Sequence, residues 1–196
     1  MDRYKQTVAP TINAISLDEI KTHCNAEGYD DWDAQLVMFR DRATEAVGKL
    51  IRRQICSATF TLTLDEFPAE IVIEKAPVSS ITSIAYTDAN GDSQTLTAVT
   101  DYQTDLSTED GPARIMPAYG TSWPTTLGDT YGAVVVTFVC GYTTAALVPD
   151  TIKHQISMLA AHWFSNREGI AIGTIAAEIP MGIEMLEAIN DTGAYG

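Results

Sequence analysis

The chain has 196 residues, 45% of them hydrophobic, with a mean hydropathy of zero, which is ordinary globular composition and excludes a disordered tail. Twenty-six acidic residues against twelve basic give a net charge of −14 and a pI near 4.4, so a polyanionic partner bound by counterion release from phosphates is disfavoured. No run approaches the roughly 18 apolar residues of a spanning helix, and Asp2, Arg3, Lys5 and Gln6 stand where a signal peptide is apolar.

These features predict a soluble, unexported protein that does not meet a membrane. Cys24, Cys56 and Cys140 are odd in number and far apart, which predicts free thiols in a reducing compartment.

Residues 1–15 read as an N-terminal arm. Ser16-Leu17-Asp18-Glu19 has the form of a capping box and predicts a helix from Leu17 to about Ala26, stopped by Gly28. Asp30, Asp31 and Asp33 then place negative charge at the positive dipole end of a second helix. Trp32, Leu36, Phe39, Ala43, Ala46 and Leu50 follow at spacings of 4, 3, 4, 3 and 4, one face of a helix of about twenty residues.

After Arg53 the period shortens to two. Phe60, Leu62 and Leu64 alternate with threonines, a half-buried strand. Strands are also expected at Glu70–Glu74, Ile81–Thr87, Ser93–Val99, near Tyr102 and at Ala113–Met116, with Asp88-Ala89-Asn90-Gly91 as a hairpin turn. Ala133–Val139 is apolar on both faces, as a central strand is. Pro149-Asp150 opens a third helix with Ile152, Ile156, Leu159 and Trp163 on one face, Gly169 and Gly173 stop it, and a short amphipathic helix is expected from Met181 to Ile189.

The class is therefore α+β: a helical bundle, made of an N-terminal helix pair plus C-terminal helices (16–54 and 149–190), with an inserted antiparallel β-sheet block (55–148) and a flexible tail at 191–196.

The search for chemistry is negative. The Gly-x-Ser-x-Gly elbow and the phosphate-cradling glycine motifs are missing, and Gly128-Asp129-Thr130-Tyr131-Gly132 reads as a loop before a strand. His154 and His162 lie eight residues apart on one helix, too far to share a metal, and read as partly buried packing residues; His23 and Cys24 diverge around theirs. Asp88-x-Asn90-Gly91-Asp92 resembles a calcium loop but runs straight into a strand. The predicted catalytic, metal and cofactor sets are empty. Two readings of another class stay open: a hydrolase whose acids the sequence does not single out, and a monomeric binding module.

The basic residues are segregated. Arg40, Arg42, Lys49, Arg52 and Arg53 fall within fourteen positions, whereas Gln54 to Ile152 holds only Lys75 and Arg114 against twelve acids. One reading is a solvated helix face whose last turn complements the dipole. The sharper one is a subunit interface, with this cationic helix facing the acidic sheet block of an identical neighbour, a head-to-tail contact that closes into a ring when the rotation permits. DNA binding comes third, opposed by the surrounding negative field.

In order along the chain stand Ser16-Leu17-Asp18-Glu19-Ile20-Lys21, Ala43-x-x-Ala46-Val47 to Ile51-x-Arg53-Gln54, and Phe60-Thr61-Leu62-Thr63-Leu64-Asp65-x-Phe67-Pro68. They continue with Ala76-Pro77-Val78-x-Ser80-Ile81-x-Ser83-Ile84-x-Tyr86-x-Asp88-x-x-Gly91, Trp123-Pro124 and Cys140-Gly141-Tyr142. Val148-Pro149-Asp150-x-Ile152-Lys153-x-x-Ile156 and Trp163-Phe164-x-Asn166-Arg167-Glu168 complete the series. In this order, over residues 14 to 190, the chain resembles the head-tail connector (adaptor, or head-completion) proteins of long-tailed bacteriophages and related gene transfer agents. Its end at Glu187-Ala188-Ile189-Asn190-Asp191 departs from relatives that finish near an arginine.

The resemblance implies a non-enzymatic virion component of the neck, present in the host cytoplasm during assembly. It implies a ring of identical subunits, commonly twelvefold, set between the portal and a stopper or tail-completion protein. Genomic DNA would pass through it without sequence-specific contact. Portal contact would fall to Met181, Leu186, Ile189, Asn190 and Tyr195.

Overall fold

The computed structural model describes residues 3–106 and 111–166. The described residues divide into two compact units, one of residues 12–55 and 144–166, the other of residues 3–11, 56–106 and 111–143. Among the described residues no helix is long and apolar enough to cross a membrane.

In the helical unit, α1 spans Leu17–His23. Its start is the expected capping box: Ser16 Oγ accepts from the Glu19 amide at 3.1 Å, and Glu19 Oε2 accepts from the Ser16 amide at 2.7 Å. The helix ends three residues before Ala26. Asn25 takes the left-handed conformation (φ 51°), and the Ala26 amide folds back to the Lys21 carbonyl at 2.9 Å, a Schellman closure built on asparagine where glycine is commoner.

After a 3-10 turn at Asp30–Trp32, α2 runs over Asp33–Leu50. Its end repeats the device with Arg52 left-handed (φ 56°) and the Arg53 amide on the Gly48 carbonyl at 2.8 Å. A Cβ on Gly48 would stand 2.9 Å from the Arg53 carbonyl oxygen, so this fold-back needs glycine there. The buried line of α2 is Leu36, Arg40, Ala43 and Val47, rotated from the expected stripe: Phe39 and Ala46 are half-buried and Leu50 is exposed.

The last described helix, α3, is Asp150–Ser165, with Pro149 as its N-cap instead of its first residue. It buries Ile152, Gln155, Ile156 and Ala160, and the three helices pack against one another. Trp32 meets Phe164 edge-on at 5.6 Å. The expected helix at 181–189 lies outside the described residues.

Among the described residues the other unit holds eight strands: β1 Arg3–Val8, β2 Ala58–Leu64, β3 Ile71–Ile73, β4 Val78–Thr87, β5 Ser93–Leu96, β6 Tyr102–Asp105, β7 Ala113–Pro117 and β8 Val134–Cys140. They form two sheets, β1-β2-β8-β4-β5 and β3-β7-β6, every pairing antiparallel. Three departures from expectation stand out. Residues 3–8 are a strand, not an arm. The inserted block is two sheets. The strand after Asn90-Gly91 stops at Leu96, leaving Val99 87% exposed with φ 70°.

Strand β8 is central, with β2 on one side and β4 on the other. Its buried residues Val134, Val136, Phe138 and Cys140 join Phe60 and Leu62 of β2, Ile84 of β4, Ile71 and Ile73 of β3, and Ala113 and Ile115 of β7 in one core shared by both sheets. At its end Gly141 adopts φ 104°, and a Cβ there would come 2.8 Å from the carbonyl carbon and oxygen of Cys56. The Gly141 amide donates to the Pro77 carbonyl at 2.8 Å and the Ser57 amide to that of Tyr142 at 3.0 Å. That glycine lets the two ends of the insertion lie side by side.

Candidate functional site

The five clustered cations do not form one patch. Arg40 is 6% exposed. Its Nη1 donates to the Ile15 carbonyl at 3.4 Å, and Nε and Nη2 hold Asp41 Oδ1 at 2.9 and 2.8 Å, so it ties α2 to the segment before α1. As a surface cation it is corrected: the charge is spent inside the unit. Arg42 and Lys49 are exposed and, seven residues apart, stand about 20° apart around the helix, opposite Arg40. Lys49 is paired with Glu45 at 2.6 Å one turn back, which trims the positive field of that face. Arg52 and Arg53 stand past the last turn, Arg52 exposed and Arg53 half-buried. Met181, Leu186, Ile189, Asn190 and Tyr195 lie outside the described residues.

A second cation is used internally. The buried Lys21 ammonium of α1 reaches Asp33 Oδ1 at 2.7 Å and Asp30 Oδ1 at 2.9 Å, and these bonds, Asp33 foremost, push its pKa up. The aspartates read as dipole partners thus also bolt α1 to the start of α2.

His23 of α1 and His154 of α3 meet edge-on with ring centroids 6.2 Å apart, a proximity that spacing along one helix does not disclose. His154 is exposed, not partly buried as expected. Two imidazoles are short of a closed metal shell. Among the described residues no group of three or more His, Cys, Asp or Glu side chains is placed to hold an ion. The Cys140 thiol is buried and pushed up to about 12 by desolvation, which removes the thiolate a nucleophile needs.

In the sheet unit Asp65, Asp88 and Asp101 act on backbone. Asp65 Oδ1 accepts the Gly132 amide at 2.7 Å, the main reason its pKa is lowered, and also the Arg3 guanidinium; this pins the Gly128–Gly132 loop to the end of β2. Asp88 Oδ1 accepts the amides of Asn90 and Asp92 at 2.9 and 3.1 Å, the latter contributing most to holding its carboxyl low. The calcium-like spacing is therefore a hairpin turn, whose oxygens are already taken by N–H groups.

Three aromatic residues from separate motifs converge. Phe67 stacks on Trp123 (4.8 Å, 8°) and meets Tyr86 edge-on at 5.6 Å. Beside them a cleft of about 210 Å³ is lined by Tyr86, Gln94, Thr95, Leu96, Asp101 and Pro124 among others. Sequence reasoning missed this cleft, because a polar returning strand carries no signal beyond its turn. Its wall offers hydroxyls, amides and one carboxylate, suited to backbone or cationic groups.

No protein-family model and no curated protein matches the sequence. Among solved structures, the chain is similar to one from the neck of an empty gene transfer agent particle computed with C6 symmetry. They share 21% identity and a TM-score of 0.76, covering 97% of this chain and 95% of that one. A chain from the neck of the native particle computed with C12 symmetry gives 20% identity, TM-score 0.72 and the same coverage. A third, from the virion of the native particle, gives 21% identity and TM-score 0.74, covering 95% of this chain and 93% of that one. The fold is thus shared with neck and virion chains of gene transfer agents.

Proposed function

We propose that this chain is a structural subunit of a particle neck, forming a ring of identical copies as an adaptor between the portal and a stopper or tail-completion protein. The observation that carries the reading is the likeness over more than nine-tenths of both chains to neck chains in particles of sixfold and twelvefold computed symmetry. A virion location and a homo-oligomeric ring follow, twelvefold by the connector resemblance. The role is mechanical, not enzymatic, and genomic DNA passes through the ring without sequence readout.

The charge pattern fits that role. An acidic lumen lets DNA slide without sticking. On this reading the lumen is lined by acids of the sheet unit, while Arg42, Lys49, Arg52 and Arg53 face the neighbouring subunit, Arg40 being withdrawn as a buried tie. Portal contact falls to Met181, Leu186, Ile189, Asn190 and Tyr195.

The test is electron microscopy of the protein mixed with its portal. An added ring is expected, and a bare portal at saturating protein overturns the adaptor reading. Joint reversal of Arg42 and Arg53 to Glu is expected to block ring addition while the monomer keeps its melting temperature. Heads joined normally to tails in that mutant would remove these arginines from the interface.

A further inference from the structure

Among the described residues the five-stranded sheet has two open edges, and they differ in charge. At one end stands β1, Arg3–Val8, with five of its six residues exposed. It carries Arg3 and Lys5 and no acid; Arg3 is tied to Asp65, and Lys5 is exposed. At the other end stands β5, Ser93–Leu96, preceded by the exposed Asp92.

One side of β5 is occupied by β4, from Ile84 opposite Leu96 to Thr87 opposite Ser93. The cleft is not the other side: besides Gln94, Thr95 and Leu96 it is lined by Tyr86 of β4 and by Thr121, Ser122 and Pro124, so it lies over the β4–β5 pair, and its Asp101 carboxylate accepts the Thr97 amide at 2.7 Å. The outer edge of β5 has no strand partner among the described residues.

We propose that β1 of one copy adds to the outer edge of β5 on a second copy, so that the sheet continues from subunit to subunit. The inference rests on the ring reading above and names its joint. The exposed Lys5 of β1 and the exposed Asp92 beside β5 are complementary, and the two strands sit at opposite ends of one sheet, which makes the contact head-to-tail, the kind that closes into rings. Four antiparallel pairings separate β1 from β5, so the two strands run in the same direction and the joint between copies is a parallel pair. Main-chain hydrogen bonds supply the affinity, as in other strand additions, and both edges that would otherwise invite stray pairing are covered.

The test uses the full chain with Cys24→Ser, since Cys56 and Cys140 are buried. Lys5→Cys is combined with Thr95→Cys. Within one copy these positions are separated by about 19 Å across the sheet, so a disulfide can form only between copies. Rings assembled alone or on the portal and mildly oxidised should give a ladder of reducible multimers on a denaturing gel.

In parallel, Lys5→Glu and Asp92→Lys should each raise the half-assembly concentration roughly tenfold, and the double reversal should return it to within about twofold of the parent, with melting temperatures unchanged throughout. Rings of normal appearance with no ladder and no response to either reversal would overturn the strand joint and leave the ring reading standing. They would also identify Lys5 as a guard against edge pairing. A parent protein that adds no ring to its portal overturns both.

Discussion

The two units handle charge in opposite ways. In the helical unit two cations are drawn inward: Arg40 and Lys21 are buried, one capping the Ile15 carbonyl and the other gathering two aspartates. In the sheet unit two acids nearer the surface bind loop amides, Asp65 that of Gly132 and Asp88 those of its own turn. A cluster of basic residues in a sequence is thus no measure of a basic surface. The acid excess of the sheet unit is also partly architectural, because it replaces backbone partners that short loops lack.

The strongest way to break this contrast is at the joints, where backbone outweighs charge. Gly141→Ala puts a methyl carbon 2.8 Å from the Cys56 backbone at φ 104° and should cost about 3 kcal/mol, seen as a fall in the denaturant midpoint. A Gly132→Ala control, also at positive φ (75°) but with its Cβ meeting side chains alone, the Thr63 methyl at 3.1 Å and Arg3 Nη2 at 3.9 Å, should lose less than half of that. Next comes the buried cation. Arg40→Met removes the bond to Ile15 and the hold on Asp41 and should cost about 2 kcal/mol, against no more than about 0.5 kcal/mol for Arg42→Met. Equal losses in the two variants would erase the distinction between inner and outer cations.

Smaller effects sharpen it. Val99, β-branched, exposed and left-handed, should gain about 1 kcal/mol when replaced by glycine, measured as a rise in melting temperature. The pH dependence should divide by sign. Asp65 and Asp88 have lowered pKa values, so their contribution is complete above the unfolded carboxylate range and is lost as pH falls from about 4 through the native values. Lys21 has a raised value, so its contribution is complete below about 10.5 and is lost as pH climbs through the higher native one. Asp65→Asn should flatten the acid limb of a melting-versus-pH curve and Lys21→Met the alkaline limb.

What could be read from sequence follows from where the physics is local. The capping box at Ser16, the Asn90-Gly91 hairpin and the alternation at Phe60–Leu64 all act within a few residues, and they stand where expected. The early stops of α1 and the positive φ after α2 were hidden because Asn25 and Arg52 do the work assigned to glycine. Strand β1 was hidden because an edge strand is held by its ladder to β2 and has only Tyr4 turned partly inward. Arg40 was misplaced because burial of an arginine depends on a carbonyl supplied 25 residues earlier. The cleft beside β5 depends on chain positions from 86 to 124, which no spacing rule joins.

The place of β8 also sets an order of events. Among the described strands β2 pairs with β1 and β8 alone, and β4 with β5 and β8 alone, so before residues 134–140 are made these strands form two unconnected pairs. Synthesis runs from the N-terminus, and the keystone arrives last among the described strands. The sheet unit must therefore be held open through most of translation, with the inner edges of β2 and β4 both unsatisfied. Such edges aggregate readily and close slowly over long sequence separations. A chain stopped before Val134 should give more insoluble material than one extended past Cys140, which makes the completion of one strand the moment at which the sheet unit closes.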